Sequence, residues 1–319
     1  MSIWRQIQRE NFTSLSSLLK FLEIEEKSQF DTDPKFVLNL PKRLAEKIKK
    51  NTLNDPILRQ FVPLIDEKVV APGFVMDPVG DKTFCKTGKI LQKYRGRALI
   101  LTTSACAMHC RFCFRQNFPY ETKATSFDEE IAFLKNDPTI EEVILSGGDP
   151  LSLSDQSLSN LFHRLDAIPH IQRIRFHTRF PIGIPERIDD SFLNILANSQ
   201  KAIYFVIHCN HTLELDEDVI ASLKKIQKLG IPVLSQSVLL KDVNDDEQTL
   251  FELFQKMVNC GIIPYYLHQL DLVIGAQHFM VSDQKATDLI HYLEQNLSGY
   301  AVPHLVREIT GQKGKTRIY

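Results

Sequence analysis

The sequence lacks the features that mark a membrane, secreted or nucleic-acid-binding protein. No run approaches the roughly 18 uninterrupted apolar residues of a membrane span. The opening MSIWRQIQRE lacks the apolar core of a signal peptide. A formal net charge of -1 leaves no basic excess for nucleic acid. We therefore expect a cytoplasmic protein whose main partner is a small molecule.

Cysteine is also scarce, with 6 in 319 residues. Cys85, Cys209 and Cys260 are scattered, and a reducing compartment would keep them as thiols rather than disulfides. No two cysteine pairs are separated by a longer loop, as they are in zinc knuckles. The composition is otherwise ordinary, with 43% hydrophobic and 24% charged residues, and allows one large domain with an appendage.

The other cysteines stand together in CAMHCRFC, at Cys106, Cys110 and Cys113. Three thiolates at this spacing can ligate three irons of a [4Fe-4S] cluster and leave the fourth iron open for chemistry. The alternative is a structural zinc site that adds His109 to the three thiolates. Because no second pair of ligands exists, the pattern favours iron and sulfur over zinc.

This spacing, with the aromatic Phe112 just before the third cysteine, resembles that of the radical S-adenosylmethionine enzymes. The resemblance implies that the open iron binds the amino and carboxylate groups of S-adenosylmethionine. It also implies that one electron cleaves this ligand to a 5'-deoxyadenosyl radical.

Apolar and β-branched runs recur about every 30 residues, with helical spacing between them. The predicted strands are 98–103, 142–146, 171–177, 202–208, 232–238 and 263–268. The predicted helices are 127–135, 154–165, 186–196, 216–229, 246–258 and 283–293. This alternation is typical of an α/β fold with a parallel sheet. Six units predict a partial (β/α)6 barrel, with a doubly wound open sheet as the alternative.

The segment before residue 95 differs, with helical stretches near 15–21, 41–49 and 55–61 and several Pro and Gly breaks. We expect it to form an N-terminal helical cap. The expected domain limits are 1–95 for the cap, 96–300 for the barrel and 301–319 for a C-terminal segment. Polar residues follow every predicted strand, and a barrel would bring them together at one mouth.

The motif SGGD, formed by Ser146, Gly147, Gly148 and Asp149, follows the second predicted strand. Residues without side chains let a ligand approach the backbone, although a tight turn would use the same glycines. Because it comes one strand after the cluster loop, the motif is a candidate for holding the amino group of S-adenosylmethionine.

Two further polar residues stand at the ends of strands. His208, at the end of the fourth strand, is a candidate for cofactor binding. Gln236, at the end of the fifth, can contact the same ligand as SGGD, and a buried glutamine that caps a strand is the alternative.

The last residues, LVREITGQKGKTRIY, set Lys315 in a glycine-flanked turn. The glycine spacing does not match a Walker A loop, and no helix follows. A lysine amine on such a turn can form a Schiff base with pyridoxal phosphate. The alternative is a solvated lysine near a chain end.

Several charged residues near these motifs can bind a ligand that carries both charges. Arg115, just past the cluster loop, can clamp a carboxylate with two hydrogen bonds or pair with a nearby acid. Asp271 and Glu308 can bracket a cationic group, and are otherwise exposed acids. Arg97 and Lys93 can meet an anionic phosphate or balance local acids.

Taken together, the cluster loop with its arginine, SGGD, HCNH, QSVLL, PYYLHQLD and the terminal GKT resemble the lysine 2,3-aminomutase family. The resemblance runs from about 93 to 316 in the family's order. It implies an isomerase that uses S-adenosylmethionine and pyridoxal phosphate. It further implies that Lys315 is the Schiff-base lysine, Arg115 holds the substrate carboxylate and Asp271 receives the side-chain ammonium. Arg97 matches a position near the cofactor phosphate.

Two departures from the family pattern point to one branch. Glu308 stands where clostridial-type members carry an aspartate, which moves the carboxylate about one methylene further. The zinc-binding C-terminal region of the longest members has no counterpart, so we expect neither that zinc nor that assembly. Together these features resemble the bacterial branch that makes (R)-β-lysine for modification of elongation factor P.

The resemblance therefore implies conversion of L-lysine to (R)-β-lysine by radical amino migration. It implies a functional link to elongation factor P and its lysyl ligase, and an electron donor such as flavodoxin or ferredoxin. Two other functions stay open. One is an aminomutase for glutamate or arginine, although Asp271 would repel the side chain of glutamate. The other is a non-catalytic zinc-binding protein.

Overall fold

The computed structural model of the protein describes residues 2–120 and 126–318, and within these ranges its centre is a 9-stranded sheet. The strands are β1 (Ile90–Leu91), β2 (Arg97–Leu101), β3 (Glu142–Ser146), β4 (Arg173–Thr178), β5 (Ala202–His208), β6 (Val233–Val238), β7 (Ile263–His268), β8 (His304–Arg307) and β9 (Thr316–Arg317). All six strands predicted from the sequence are present: β3, β5 and β7 have the predicted ends, and the ends of β2, β4 and β6 differ from the prediction by one or two residues.

The order of the strands decides between the two predicted architectures. Each strand pairs with its neighbours in the chain, from β1 through β9, so the sheet has no point where the strand order reverses. A doubly wound sheet requires such a point, and that alternative is wrong. β2 to β8 are parallel, and β1 and β9 lie antiparallel at the edges. Because the described edge strands do not pair with each other, the sheet is a partial barrel.

Helices connect the parallel strands. The helices are α1 (Ile3–Gln8), α2 (Leu15–Phe21), α3 (Lys42–Lys47), α4 (Pro56–Phe61), α5 (Asp128–Asn136), α6 (Asp155–Asp166), α7 (Phe180–Gly183), α8 (Asp190–Asn198), α9 (Glu217–Gln227), α10 (Glu247–Asn259) and α11 (Asp283–Asn296). α8 begins later than predicted, because Pro185 opens a short 3-10 turn and the Asp189 side chain caps the helix at Phe192 N–H. Gly230 follows the end of α9 at φ +76°, as a helix stop should.

The N-terminal helices share one hydrophobic core with the barrel. Trp4 of α1 packs edge-on against Phe180, with ring centroids 5.5 Å apart. α2, α3 and α4 lie within the three helical stretches predicted for this segment, whereas α1 was not predicted. No helix of the described chain is long and apolar enough to cross a lipid bilayer.

The N-terminal segment also holds the cysteine loop in place. Asn11 Nδ2 donates to the carbonyl of Ala107 at 2.7 Å, and Asn39 Nδ2 donates to the carbonyl of Cys106 at 3.3 Å. The backbone N–H of His109 donates to the carbonyl of Asn39 at 2.9 Å. These bonds fix the backbone of a loop that has no helix or strand of its own.

Candidate active site

A cavity of 810 Å³ extends from the cysteine loop, at the carboxyl ends of the strands, to the amino ends of β2 and β4. Every site residue predicted from the sequence lines it. These residues are Arg97, Cys106, Cys110, Cys113, Arg115, Ser146, Gly147, Gly148, Asp149, His208, Gln236, Asp271, Glu308 and Lys315. The partial barrel therefore brings together residues that lie more than two hundred positions apart in the chain.

The three cysteines lie together at the mouth of this cavity. Burial raises the pKa of all three thiols, and each is raised further by nearby negative groups. The pKa of Cys113 reaches about 11. Thiolates here therefore need bound positive charge, which the irons of a cluster would supply.

His109 does not complete a zinc site with these cysteines. Its Nδ1 lies 2.8 Å from the carbonyl of Val37, its ring stacks on Phe36, and it does not line the cavity. Among the described residues, no group of three or more His, Cys, Asp or Glu side chains is arranged to hold a metal ion. A cubane places each thiolate on a different iron, so three cysteines can hold it without the arrangement around one ion that a zinc site requires.

The two glycines of SGGD let the cysteine loop dock against the end of β3. A Cβ on Gly147, at φ +127°, would lie 2.6 Å from the carbonyl oxygen of Thr103. A Cβ on Gly148 would lie 2.3 Å from that of Ala105. Both distances are too short for any side chain. The glycines therefore set the position of the cysteines as well as exposing backbone to the cavity.

Asp149 joins the ends of β3 and β4. Its carboxylate accepts hydrogen bonds from the Thr178 hydroxyl at 2.7 Å and from the backbone N–H of Leu151, Arg179 and Phe180. Burial raises its pKa to about 6, although these donors favour the charged form. The structure thus occupies both carboxylate oxygens with protein donors.

Lys315 reaches the cavity from the turn between β8 and β9. Its Nζ lies 3.1 Å from His268 Nε2, 3.8 Å from Glu308 Oε2 and 5.3 Å from the ring centre of Tyr266. Burial lowers the pKa of the amine, against the opposing effect of Glu308 and Asp271. The side chain is only 24% exposed, so Lys315 is not a solvated surface lysine.

Two carboxylates accompany the lysine. Glu308 is 11% exposed and accepts a hydrogen bond from the Tyr94 hydroxyl at 2.6 Å. Burial and the neighbouring Glu308 raise the pKa of Asp271 to about 6, while Lys315 acts in the opposite direction. Neither carboxylate is therefore an exposed acid. The ammonium of Lys315 lies close to the carboxylate of Glu308.

Arg115 pairs with an acid that the sequence analysis did not identify. Its Nε donates to Asp81 Oδ2 at 2.7 Å, and its Nη1 donates to Ser146 Oγ at 3.3 Å. Lys93 Nζ lies 2.7 Å from Asp81 Oδ1 and 3.7 Å from Glu308. Lys93 therefore balances local acids. Arg115 still lines the cavity.

The far end of the cavity is basic and aromatic. The Arg97 guanidinium lies 4.5 Å from the ring centre of Tyr94, and Arg175 pairs with Glu142 at 2.6 Å. Arg175 Nε and Gln236 Oε1 are buried and have no hydrogen-bond partner among the described residues. Buried polar atoms without partners are unfavourable, so each of these two side chains fits a polar ligand in the cavity. Gln236 lies beside His208 in the register of β5 and β6, and so stands nearer the middle of the cavity than Arg175.

Three histidines line the middle of the cavity. His208 Nε2 lies 3.4 Å from His177 Nδ1, and His268 lies beside the lysine. Burial lowers the pKa of His208 to about 3 and those of His177 and His268 well below their usual value. All three are therefore neutral at pH 7.

Comparison with known proteins gives a consistent result. The family model of the Radical SAM superfamily matches residues 100–254. L-lysine 2,3-aminomutase of Escherichia coli is 42% identical over 311 residues, which cover 95% of this chain and 91% of that protein. The enzyme of the same name from Haemophilus influenzae is 40% identical and covers 98% and 94%. The chain belongs to the L-lysine 2,3-aminomutase family.

Two more distant matches agree with this family assignment. L-lysine 2,3-aminomutase of Clostridium subterminale is 30% identical over 99% of this chain and 77% of its own length. The crystal structure of Streptococcus suis SuiB superposes with a TM-score of 0.50 at 18% identity, over 68% of this chain and half of SuiB (50%). At that identity the match shows the fold alone.

Membership of the radical SAM superfamily implies a [4Fe-4S] cluster and S-adenosylmethionine. The three cysteines at the cavity mouth fit the cluster, since all three lie in one short loop and line the same cavity. Lys315 and the unpartnered Arg175 Nε fit an aldehyde cofactor with an anionic group.

Several residues of this cavity were not predicted from the sequence. His177, His268 and Arg175 line the cavity from β4 and β7. The available signal in β4 was the alternation of polar with buried apolar residues in RIRFHT. Asp81 lies in a segment rich in Pro and Gly, where no periodicity indicates which side chains turn inward.

Proposed function

We propose that this protein is an L-lysine 2,3-aminomutase that uses pyridoxal phosphate and produces (R)-β-lysine. One observation carries the proposal: Lys315, Asp271, Arg115 and the three cysteines line a single cavity. The names of the similar enzymes from Escherichia coli and Haemophilus influenzae support lysine as the substrate. The (R) product and its use for modification of elongation factor P rest on the resemblance to one bacterial branch.

The charges in the cavity suit a substrate with a cationic end and a carboxylate end. Asp271 and Glu308 both act on the ammonium of Lys315, so this part of the cavity already accommodates an alkyl ammonium group. Arg115 presents a guanidinium that Asp81 orients through Nε and Ser146 contacts through Nη1, and its Nη2 can bind a carboxylate. Asp271 would receive the side-chain ammonium of L-lysine, with Glu308 as the second carboxylate.

Each cofactor would contribute a different part of the chemistry. Pyridoxal phosphate would supply a π-system through which an amino group can move between carbons, with its phosphate near Arg97 and its aldehyde at Lys315. The cluster with S-adenosylmethionine would supply the radical that removes a hydrogen atom from C3. Ser146, Gly147, Gly148, Asp149, His208 and Gln236 are the residues that we propose hold these cofactors.

The protein's own contribution is placement and exclusion of water. The cavity is walled by half-buried apolar strand residues such as Leu99, Ile144 and Leu234, which keep water away from a reactive radical. The three neutral histidines add polar contacts without adding charge beside Lys315.

The test is anaerobic reconstitution of the cluster followed by incubation with S-adenosylmethionine, pyridoxal phosphate, a reductant and L-lysine. Chiral chromatography with mass detection should then detect (R)-β-lysine among the products. Cleavage of S-adenosylmethionine without β-lysine would keep the radical chemistry and exclude lysine as the substrate. A colourless, zinc-loaded preparation that does not cleave S-adenosylmethionine would exclude both the radical chemistry and lysine as the substrate.

We also propose the organisation and partners of the enzyme. Residues 1–95 act as a cap, 96–300 as the barrel and 301–319 as the segment that delivers Lys315. A cytoplasmic electron donor such as flavodoxin or ferredoxin would reduce the cluster, and the lysyl ligase of elongation factor P would use the product. Loss of β-lysine from elongation factor P in a strain that lacks this protein is the measurement that checks the last point.

A further inference from the structure

Arg179 donates a hydrogen bond to one of the three cysteines. Its Nη1 lies 2.9 Å from the Sγ of Cys110. Arg179 follows the last residue of β4 and is 6% exposed. Its backbone N–H donates to the Asp149 carboxylate at 2.8 Å. Because the side chain starts from an anchored backbone and is buried, its contact with Cys110 is fixed.

The rest of the guanidinium belongs to a buried polar group. Its Nη2 donates to Glu214 Oε2 at 2.8 Å and to Gln60 Oε1 at 2.6 Å. Both of these partners are 0% exposed. Glu214 Oε1 accepts from Gln60 Nε2 and from the backbone N–H of Asn210. The charge of Arg179 therefore acts on Cys110 with little screening by solvent.

A buried ion pair of this kind is a poor device for stability alone, because desolvation of two charges offsets their attraction. None of the roles proposed above for lysine or pyridoxal phosphate uses Arg179 or Glu214. What distinguishes this pair from the other ion pairs among the described residues is its direct contact with a cluster cysteine.

We propose that Arg179 is a positioning residue that holds Cys110 and raises the reduction potential of the [4Fe-4S] cluster, with Glu214 acting in the opposite direction. The inference goes beyond the proposed function, since it requires the cluster but neither lysine nor pyridoxal phosphate. It concerns how readily the cluster accepts the electron that starts the radical chemistry.

The redox step has a simple balance. The oxidised cluster takes up one electron from an external one-electron donor, no bond forms or breaks, and the cluster gains one negative charge. A guanidinium that is hydrogen-bonded to a cluster thiolate stabilises this more negative state, so the reduction potential of the cluster rises. The carboxylate of Glu214, bound to the other guanidinium nitrogen, disfavours the same state.

The experiment is a potentiometric titration of the reconstituted full-length protein, without S-adenosylmethionine or lysine, in which electron paramagnetic resonance measures the reduced cluster. Arg179→Gln should shift the potential to more negative values. Glu214→Gln should shift it to more positive values. Arg179→Lys should lie between wild type and Arg179→Gln, because an ammonium keeps the charge but not the two-pronged donation.

Arg187→Gln is the matched control. Arg187 is also 0% exposed and pairs with a carboxylate, Asp155, at 2.9 Å, but it does not line the cavity. Its substitution should lower the melting temperature and leave the potential unchanged.

Iron and sulfide content is measured for every variant, so that a potential is compared only between fully loaded proteins. Unchanged potentials in Arg179→Gln and Glu214→Gln would overturn the proposal. Shifts of both in the same direction would also overturn it, because a purely structural role moves the two variants together. If Arg179→Gln does not assemble a cluster, the reduction potentials of Arg179→Lys and Glu214→Gln test the proposal: the first should be more negative and the second more positive than that of wild type.

Discussion

Lys315 Nζ lies 3.1 Å from His268 Nε2, in a part of the cavity where burial keeps the imidazole neutral. A neutral imidazole can accept a hydrogen bond from the lysine ammonium, which is itself mostly buried. This contact joins the end of β7 to the turn after β8. It therefore fixes a lysine whose amine lies 3.8 Å from Glu308 and interacts electrostatically with Asp271.

The first prediction concerns this acceptor. His268→Phe removes it and leaves a buried ammonium without that hydrogen bond, which should lower the free energy of unfolding by about 1–3 kcal/mol. His268→Gln retains an acceptor and should recover most of the loss. Urea unfolding of the protein without cofactors measures both. Equal stability of His268→Phe and wild type would show that the contact contributes nothing.

Much of the fold was predictable because buried parallel strands have a strong sequence pattern. Val143, Leu145, Ile174 and Phe176 recur at every second position of two strands and are fully buried, and this spacing differs from helical spacing. β8 was missed because it has only four residues, His304–Arg307, and two of them are polar or charged. β1 and β9, with two residues each, are too short for any periodicity.

The site was predictable where function leaves a pattern in a short segment. Cys106, Cys110 and Cys113 carry their spacing within one loop, and Lys315 sits between glycines. Asp81 and Arg179 were not assigned a role, because each acts through a partner distant in sequence, Arg115 for the first and Cys110 for the second. Such pairs become visible only when the chain is folded.

The second prediction tests the role of Lys315. Lys315→Ala should abolish the visible absorbance of bound pyridoxal phosphate and leave the iron content unchanged, because the amine is lost while the cysteine loop is untouched. Lys313→Ala is the control, since Lys313 lies in the same turn and is exposed. An absorbance that persists in Lys315→Ala would refute the assignment of this residue.

The third prediction follows from the raised pKa of Asp271, which is about 6 in the folded protein. Between its ordinary pKa of about 4 and this value, the folded state binds more protons than the unfolded state. The contribution of Asp271 to stability therefore falls as the pH rises through this window. At pH 7, Asp271→Asn should raise the free energy of unfolding by about 2 kcal/mol, since it removes the cost of a buried charge.

The same variant should bind L-lysine more weakly, because the ammonium loses its charged partner. Thermal unfolding between pH 4 and pH 7, measured with and without lysine, separates the two effects, because this range of pH spans the pKa window of about 4 to 6. A variant that is less stable than wild type at pH 7 without ligand would contradict the predicted sign.

The fourth prediction concerns the close approach of Gly148 to the backbone of the cysteine loop. Gly148→Ala places a Cβ 2.3 Å from the backbone oxygen of Ala105, and backbone cannot move aside as a flexible side chain can. The loop must then shift away from β3, at a cost of about 1–3 kcal/mol. Because Cys106 follows Ala105 directly, the shift should also lower the amount of iron that the protein retains after reconstitution.

Gly299→Ala, where a Cβ meets nothing within 4 Å, should change neither the stability nor the iron content. Iron analysis together with urea unfolding tests this prediction, and normal iron content with normal stability in Gly148→Ala would mean that the loop does not depend on this close approach.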